Sequence, residues 1–174
     1  MRADQTRRRA LAVAAIAAVA AFAPNGVAGA QAPAAKAAVT RPPRTGAQIF
    51  ASTCAACHQA RGEGTNVYPP LAESDWVTGT ESRLVRIILH GLVGDVEVQG
   101  QVYNGAMPGW GPTLTDAEIA AVATYIRSSF GNQAAPISTA LVTQARAAHA
   151  GRTTPWTVTE LLLMKAGEKN SGTH

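Results

Sequence analysis

Two cysteines and a histidine lie close together in the motif Cys54-Ala-Ala-Cys57-His58, and no other cysteine occurs in the 174-residue chain. The C-x-x-C-H spacing is the attachment signature of a c-type haem. Each thiol can add to one vinyl group of the porphyrin and become a thioether. The histidine can offer a neutral ring nitrogen to the iron, and its other nitrogen then needs an acceptor such as a backbone carbonyl. The motif therefore predicts one covalently attached haem c.

Three other uses of paired cysteines fit this sequence less well. A four-coordinate zinc site would need a second pair of ligands, and the remaining histidines do not pair at zinc spacing. A redox-active dithiol normally opens a helix within a βαβ unit, which the sequence does not indicate. A disulfide across two residues would be strained.

A methionine in a stretch rich in glycine and proline is the second candidate for chemistry. Met107 lies in residues 104–112, which show neither helical nor strand periodicity, whereas a core methionine normally falls on an apolar face. A histidine and a methionine together are a known way to hold haem iron and to raise its reduction potential. Met107 is therefore the expected second axial ligand. The alternatives are ligation by His90 and a gap-filling role for Met107.

The cysteine motif ends a predicted helix. Over residues 46–57, apolar side chains and both thiols fall on one continuous helical face, which would lie against the porphyrin edge. Beyond His58, the segment Tyr68-Pro-Pro-Leu71 is held extended by its prolines and leaves carbonyl oxygens outside any ladder. One of these carbonyls is a suitable acceptor for the His58 ring N–H, and a plain loop without that role is the alternative.

Two further helices are expected to complete the core. One is residues 81–90, whose Arg83 and Arg86 are expected to face water. The other is residues 116–130, which a capping box at Thr115 opens. Between them, valines interrupted by glycine in residues 94–105 indicate either a small two-stranded hairpin or an irregular loop.

The first 44 residues are predicted to lie outside the folded domain. Residues 1–30 combine an arginine-rich start, the apolar stretch 10–23 and an A-x-A site, a combination typical of a secretory signal peptide. Cleavage near Ala30-Gln31 would place the mature chain in the periplasm without a membrane span. An uncleaved signal would instead be an anchor. Residues 31–44 are an alanine- and proline-rich linker.

Residues 132–174 are more than a small haem domain needs. A helix is expected from Ser138 to Ala150, and a second capping box at Thr157 opens another helix to about Ala166. Both would belong to a C-terminal helical extension. The extension would either wrap the domain or dock on a partner.

The charge of the chain argues against nucleic acid as a partner. The formal net charge is +4 at pH 7, but most of the excess comes from the arginines of residues 1–30. The rest of the chain is nearly neutral and lacks the basic stripe that a nucleic-acid-binding domain presents.

Taken in order, the C-x-x-C-H motif, the methionine followed by proline and the two flanking helices resemble the class I cytochromes c. The resemblance covers about residues 46–131, so a cytochrome c domain is expected at 45–131. It implies an all-α fold with three core helices around one haem and with His58 and Met107 as the iron ligands. Pro69-Pro-Leu71 matches the family's P-x-L segment, which implies that the Pro69 carbonyl accepts from His58 and that Leu71 packs on the haem.

The resemblance implies electron transport as the function. Tyr68–Trp76 and Tyr103–Pro108 are similar to the cytochrome subunits and domains of periplasmic dehydrogenases and nitrite reductases. The chain would carry one electron, either as a periplasmic shuttle or as the electron-accepting subunit of a dehydrogenase or reductase. Its redox partner would be such an enzyme or a terminal oxidase, and the chain itself is not expected to be an enzyme. The alternative is a haem enzyme or gas-binding protein with an open distal site.

Overall fold

The structure of this protein is a computed structural model in which residues 42–165 are described. The predicted signal peptide, residues 1–30, lies outside the described residues, as do residues 31–41 of the predicted linker and residues 166–174 of the extension. Among the helices of the described range, none combines the length and the hydrophobicity that crossing a membrane would require.

Helices dominate the described chain, with one antiparallel hairpin among them. In chain order the elements are α1 (Gly46–Ile49), a π-helical turn (Phe50–Cys54), α2 (Ala55–His58), α3 (Asp75–Thr78), α4 (Glu81–His90), β1 (Gly91–Val98), β2 (Gln101–Pro108), α5 (Asp116–Arg127), α6 (Thr139–Ala148) and α7 (Val158–Lys165). The sequence did not predict the short helix α3. The other helices and the hairpin confirm predicted elements, with different ends in several cases.

The first predicted helix is present, and it contains a π-helical turn in its middle. It begins with a capping box in which the Thr45 side chain accepts from the Gln48 N–H and the Gln48 side chain accepts from the Thr45 N–H. At Gly46 the helix crosses α5 so closely that a Cβ atom would lie 2.2 Å from the Ala121 carbonyl oxygen. Glycine therefore allows the two helices to touch through their backbones.

Helix α4 has the predicted bounds, but its two arginines do not face water. Arg86 is 7% exposed, and its guanidinium donates to Ser82 Oγ at 3.2 Å and to His149 Nε2 at 3.1 Å. Arg83 is partly buried, donates to the Asp75 carbonyl at 2.7 Å and lies over the Trp76 ring. The prediction was wrong because an arginine can bury its stem on apolar surface while its N–H groups reach internal acceptors.

The hairpin is present, and it is longer than predicted. β1 and β2 pair antiparallel from Gly91 with Pro108 to Val98 with Gln101. The turn between them has positive φ at Gln99 and Gly100, as a two-residue type I′ connection requires. Met107 pairs with Leu92 and so lies on a strand, contrary to the prediction of a segment without strand structure. The strand was missed because glycines and a proline interrupt its alternation of side chains.

Helix α5 ends at Arg127, three residues before the predicted end at Phe130. The Asn132 side-chain amide donates to the Ile126 carbonyl at 2.7 Å and to the Leu71 carbonyl at 2.9 Å, which satisfies acceptors near the end of the helix. Phe130 then adopts a positive φ, and its ring packs 5.0 Å from that of Phe50. The turn thereby closes this end of the core.

The C-terminal extension packs on the rest of the described chain. Ser138 caps α6 as predicted, and Val142 and Ala145 of that helix join the main hydrophobic core with Ile49 and Phe50. Helix α6 ends at Ala148 rather than at the predicted Ala150. Before α7, the Trp156 backbone forms a parallel bridge with Leu92 of β1.

Candidate functional site

A backbone carbonyl fixes the ring of His58. His58 Nδ1 lies 2.9 Å from the Pro69 carbonyl oxygen, which confirms the predicted hydrogen bond. Since a carbonyl only accepts, Nδ1 carries the proton and Nε2 is the nitrogen with a lone pair to give. Burial lowers the pKa of His58 below its ordinary value, against the opposite effect of the Pro69 hydrogen bond, and this favours the neutral ring.

Both cysteines are free thiols on the same helical stretch as His58. Cys54 is the last residue of the π-helical turn, and Cys57 lies in α2 beside His58. Both are partly buried. Burial raises the pKa of the Cys54 thiol to about 11, and the nearby Cys57 adds to the rise. Both thiols are therefore partly shielded from solvent but remain accessible.

The residues predicted to form the site line two adjoining clefts. The larger by empty space, an open cleft of about 760 Å³ with the adjoining solvent included, is lined by Cys54, His58, Pro69, Leu71 and Met107. The second, of about 550 Å³, shares His58, Pro69 and Met107 with it and adds Cys57. Each cysteine therefore borders one cleft, with the histidine and the methionine common to both.

The lining of the larger cleft suits a flat, mostly apolar cofactor. Leu71, which was expected to pack on a haem, lines it together with Ile87, Ile88 and Ile126. The free thiols and the neutral imidazole supply the donors that covalent haem attachment needs.

An unpartnered hydroxyl in the larger cleft also fits a cofactor with polar groups. Ser74 is 1% exposed and lines this cleft. It precedes α3 at the capping position, yet its side chain makes no capping hydrogen bond, and its Oγ has no partner among the described residues. A buried hydroxyl without a partner costs free energy unless a further group meets it.

Met107 reaches the clefts from β2. It is partly buried and packs against a small apolar cluster of Ile87, Trp156 and Leu161. Its neighbour in the register, Leu92, belongs to the same group. The hairpin thus brings the thioether into the space that His58 borders from α2.

The alternative ligands do not share this space. His90 lines neither cleft, and its ring lies 6.2 Å from those of His149 and Trp156. Met164 packs against the same small apolar cluster as Met107 and lines neither cleft. Between residues 42 and 165, no group of three or more histidines, cysteines and acidic residues could hold a metal ion, so zinc finds no ligand set there.

Several lining residues were not expected from the sequence. They are Ser74, Trp76, Val96, Val98 and Trp110. The alternation of Val96 and Val98 in β1 was a usable signal, because alternate residues of a strand share a face. The tryptophans carried no such signal. The position of Trp76 depends on a hydrogen bond from its indole N–H to the Glu97 carbonyl, 21 residues further along the chain.

Comparisons with known proteins place the chain among cytochromes c. Residues 41–126 match the family described as cytochrome c oxidase, cbb3-type, subunit III. The chain is 41% identical to cytochrome c-552 of Thermus thermophilus over 92 residues, which are 50% of this chain and 69% of that protein.

Two longer proteins are also similar to part of the chain. The fructose dehydrogenase cytochrome subunit of Gluconobacter japonicus is 36% identical over 110 residues, which are 59% of this chain and 22% of that subunit. The cbb3-type cytochrome c oxidase subunit FixP of Azorhizobium caulinodans is 40% identical over 88 residues, which are 49% of this chain and 29% of FixP. The chain thus spans less than a third of either of these two relatives.

Proposed function

This chain belongs to the cytochrome c family, and we propose that it is an exported electron carrier whose haem is held by His58 and Met107. Covalently bound haem c supplies a one-electron couple at its iron. Cys54 and Cys57 would form the two thioethers, His58 would give its Nε2 and Met107 its sulfur. With His58 and Met107 both bound to it, the iron would offer no open site to a substrate.

The observation that carries the proposal is the His58–Pro69 hydrogen bond beside clefts that Met107 also lines. The hydrogen bond orients the imidazole, selects its tautomer and makes it a better donor. A histidine in the core without a ligand role would have no need of free thiols four and one residues back along the same helix. The combination of groups suits a haem and no simpler ligand.

The surroundings of the site favour a high reduction potential. Leu71, Ile87, Ile88 and Ile126 line the larger cleft and would exclude water from the haem face. A low dielectric disfavours the additional charge of the ferric state. A methionine ligand raises the potential in the same direction. We expect a carrier that accepts electrons readily rather than a strong reductant.

Location and partner follow from the N-terminal sequence and the relatives together. Residues 1–30 have the composition of a cleaved export signal, so the periplasm is the proposed compartment. The names of the relatives include subunits of a sugar dehydrogenase and of an oxidase. We propose a periplasmic dehydrogenase, reductase or terminal oxidase as the partner, with this chain as its shuttle or its electron-accepting subunit.

Replacing the proposed sulfur ligand tests the function. Met107→Ala should abolish the long-wavelength methionine-to-iron charge-transfer band of the ferric protein. The potential should fall by a sizeable part of the ~0.8 V range that axial ligands span. Visible spectroscopy and redox titration measure the two effects. Met164→Ala is the matched control, because Met164 lines neither cleft, and it should leave both unchanged.

The same experiment separates the carrier from its alternative. A wild-type ferric protein without the methionine band, and with free access for cyanide, would favour a haem enzyme or gas-binding protein with an open distal site. A band that survives Met107→Ala and disappears in Met164→Ala would transfer the ligand role to Met164.

A further inference from the structure

The backbone of Trp156 is joined directly to the strand that pairs with Met107. The Val93 N–H donates to the Trp156 carbonyl at 2.8 Å, and the Trp156 N–H donates to the Gly91 carbonyl at 3.0 Å. These bonds flank Leu92, which forms a bridge with Trp156 on one side and pairs with Met107 on the other. Trp156, Leu92 and Met107 therefore lie side by side across three neighbouring chain segments.

Side-chain packing follows the same line. Trp156 is 3% exposed and forms a buried cluster with Ile87 and Leu161, against which Leu92 and Met107 pack. The indole N–H has no partner within the described range, so the ring acts here as a large apolar group. The Arg152 guanidinium lies 3.5 Å from the centre of that ring and covers it.

The other supports of the hairpin lie towards its turn, where Val96, Val98 and Tyr103 form a separate buried cluster and the Trp76 indole donates to the Glu97 carbonyl. Across the described chain the hairpin is a sheet of two strands, and such a ribbon is at best marginally stable by itself. Trp156 supplies a short third segment along the free edge of β1 and an apolar support beneath it. Loss of that support would loosen the strand pair on which the position of Met107 depends.

We propose that Trp156 is a positioning residue for Met107 and that it keeps the thioether in place for the iron. This inference rests on the proposed function, in which Met107 is an axial ligand. With Met107 as a ligand, added imidazole would bind only those ferric molecules in which the methionine is detached. Its apparent affinity therefore rises by the factor by which the detached fraction grows.

The test is an imidazole titration of the full-length, haem-loaded ferric protein. Loss of the methionine-to-iron band is the signal that reports imidazole binding. Trp156→Ala should bind imidazole about tenfold more tightly than the wild type. Trp156→Phe should stay close to the wild type, because it keeps an aromatic ring and gives up only an unpartnered N–H. Trp156→Leu is the milder truncation and is judged by the same criterion if the alanine variant does not fold.

A control of similar burial separates positioning from general destabilisation. Val142 is fully buried in the main core on α6, so Val142→Ala should lower stability without changing imidazole affinity. Hydrogen exchange gives a readout that does not depend on the haem. The Val93 amide, which donates to Trp156, should exchange faster in Trp156→Ala and not in Val142→Ala.

Two results would overturn the inference. One is wild-type imidazole affinity in a folded, haem-loaded Trp156→Ala or Trp156→Leu protein. The other is an equal gain in affinity from Val142→Ala. A wild-type protein that lacks the methionine band would instead count against the proposed function, so the two failures are distinguishable.

Discussion

At the scale of single residues, one carbonyl oxygen decides which nitrogen of His58 can bind a metal. Proline has no N–H, so the role of Pro69 here is limited to accepting, and the imidazole can only donate to it through Nδ1. A substitution of His58 removes the hydrogen-bond donor. A substitution that disturbs residues 69–71 keeps the donor but displaces the carbonyl that orients the imidazole ring. Both kinds of substitution would therefore affect the site through this one hydrogen bond.

The two thiols give the most direct residue-scale prediction. The double variant Cys54→Ala with Cys57→Ala should lose haem under denaturing electrophoresis, because no thioether remains. Each single variant should keep some haem through the other sulfur. Haem staining of the gel is the measurement.

Met107→Ala is the control for that experiment, since an axial ligand is not covalent attachment and its loss should leave staining intact. Full retention of haem by the double cysteine variant would mean that the attachment claim is wrong.

The residues proposed to bind haem could be predicted from spacing alone, and those that hold the fold together could not. Cys54, Cys57 and His58 stand within one motif, which indicates their proposed role. The place of Arg86 depends on His149, 63 residues away, and that of Arg83 on a carbonyl 8 residues back. No local pattern reports which acceptors the fold will bring to an arginine.

At the scale of elements, one arginine fastens α6 to the segment that follows the methionine strand. Arg146 Nε donates to Asp116 at 2.6 Å, and its two terminal nitrogens donate to the carbonyls of Gly111 at 2.7 Å and Leu114 at 2.9 Å. The same carboxylate accepts from Thr143. These hydrogen bonds lower the pKa of Asp116 below its ordinary value. One guanidinium thus connects α6, α5 and the loop between β2 and α5.

Arg146→Ala should lower the free energy of unfolding by roughly 2 kcal/mol, because carbonyls that now accept from a charged donor lose it. Urea unfolding followed by circular dichroism measures the change. Arg61→Ala is the matched control: its side chain is 86% exposed, and its ion pair with Glu63 should contribute little. Equal effects of the two variants would contradict the role assigned to Arg146 in connecting α6, α5 and the loop between β2 and α5.

The sequence located most elements and misjudged where some begin or end. α4 was recovered in full because its apolar stripe and terminal glycine agree. The end of α5 was missed because Asn132 meets the Ile126 carbonyl only after the chain has turned. The strand around Met107 was missed because pairing, rather than local composition, makes it a strand. Tertiary contacts overrode local preference in both cases.

At the scale of the whole molecule, the extension and the haem domain share one hydrophobic core. Helix α6 packs on α5 and α4, and Trp156 lies along β1 of the hairpin. Next to it, His90 at the end of α4 faces His149 and the Trp156 ring. The stability of the molecule should therefore respond to the charge of this histidine.

Stability should fall as the solution becomes acidic, in part because of His90. Burial, the neighbouring His149 and the positive charge of Arg152 lower the pKa of His90 below its ordinary 6.5. The unfolded chain then binds a proton more readily than the folded one. The contribution of the neutral ring is complete above pH 6.5 and is lost as pH falls below it.

His90→Gln should remove that part of the pH dependence. Urea midpoints of the wild type and the variant, compared between about pH 5 and 8, measure it. A difference that is the same at every pH would show that only packing was lost, and the assigned titration would be wrong.

The hairpin that carries Met107 has a two-residue turn, and this limits the insertions and deletions that its strands can accept. Side chains alternate between the two faces of a strand, so adding or deleting one residue between the tip and Met107 would aim the sulfur at the opposite side. A change of two residues would restore its direction but displace it by about 7 Å along the strand. The number of residues from the turn to Met107 is thus constrained in parity as well as in length. An insertion or a deletion in this stretch of β2 should therefore misplace the sulfur.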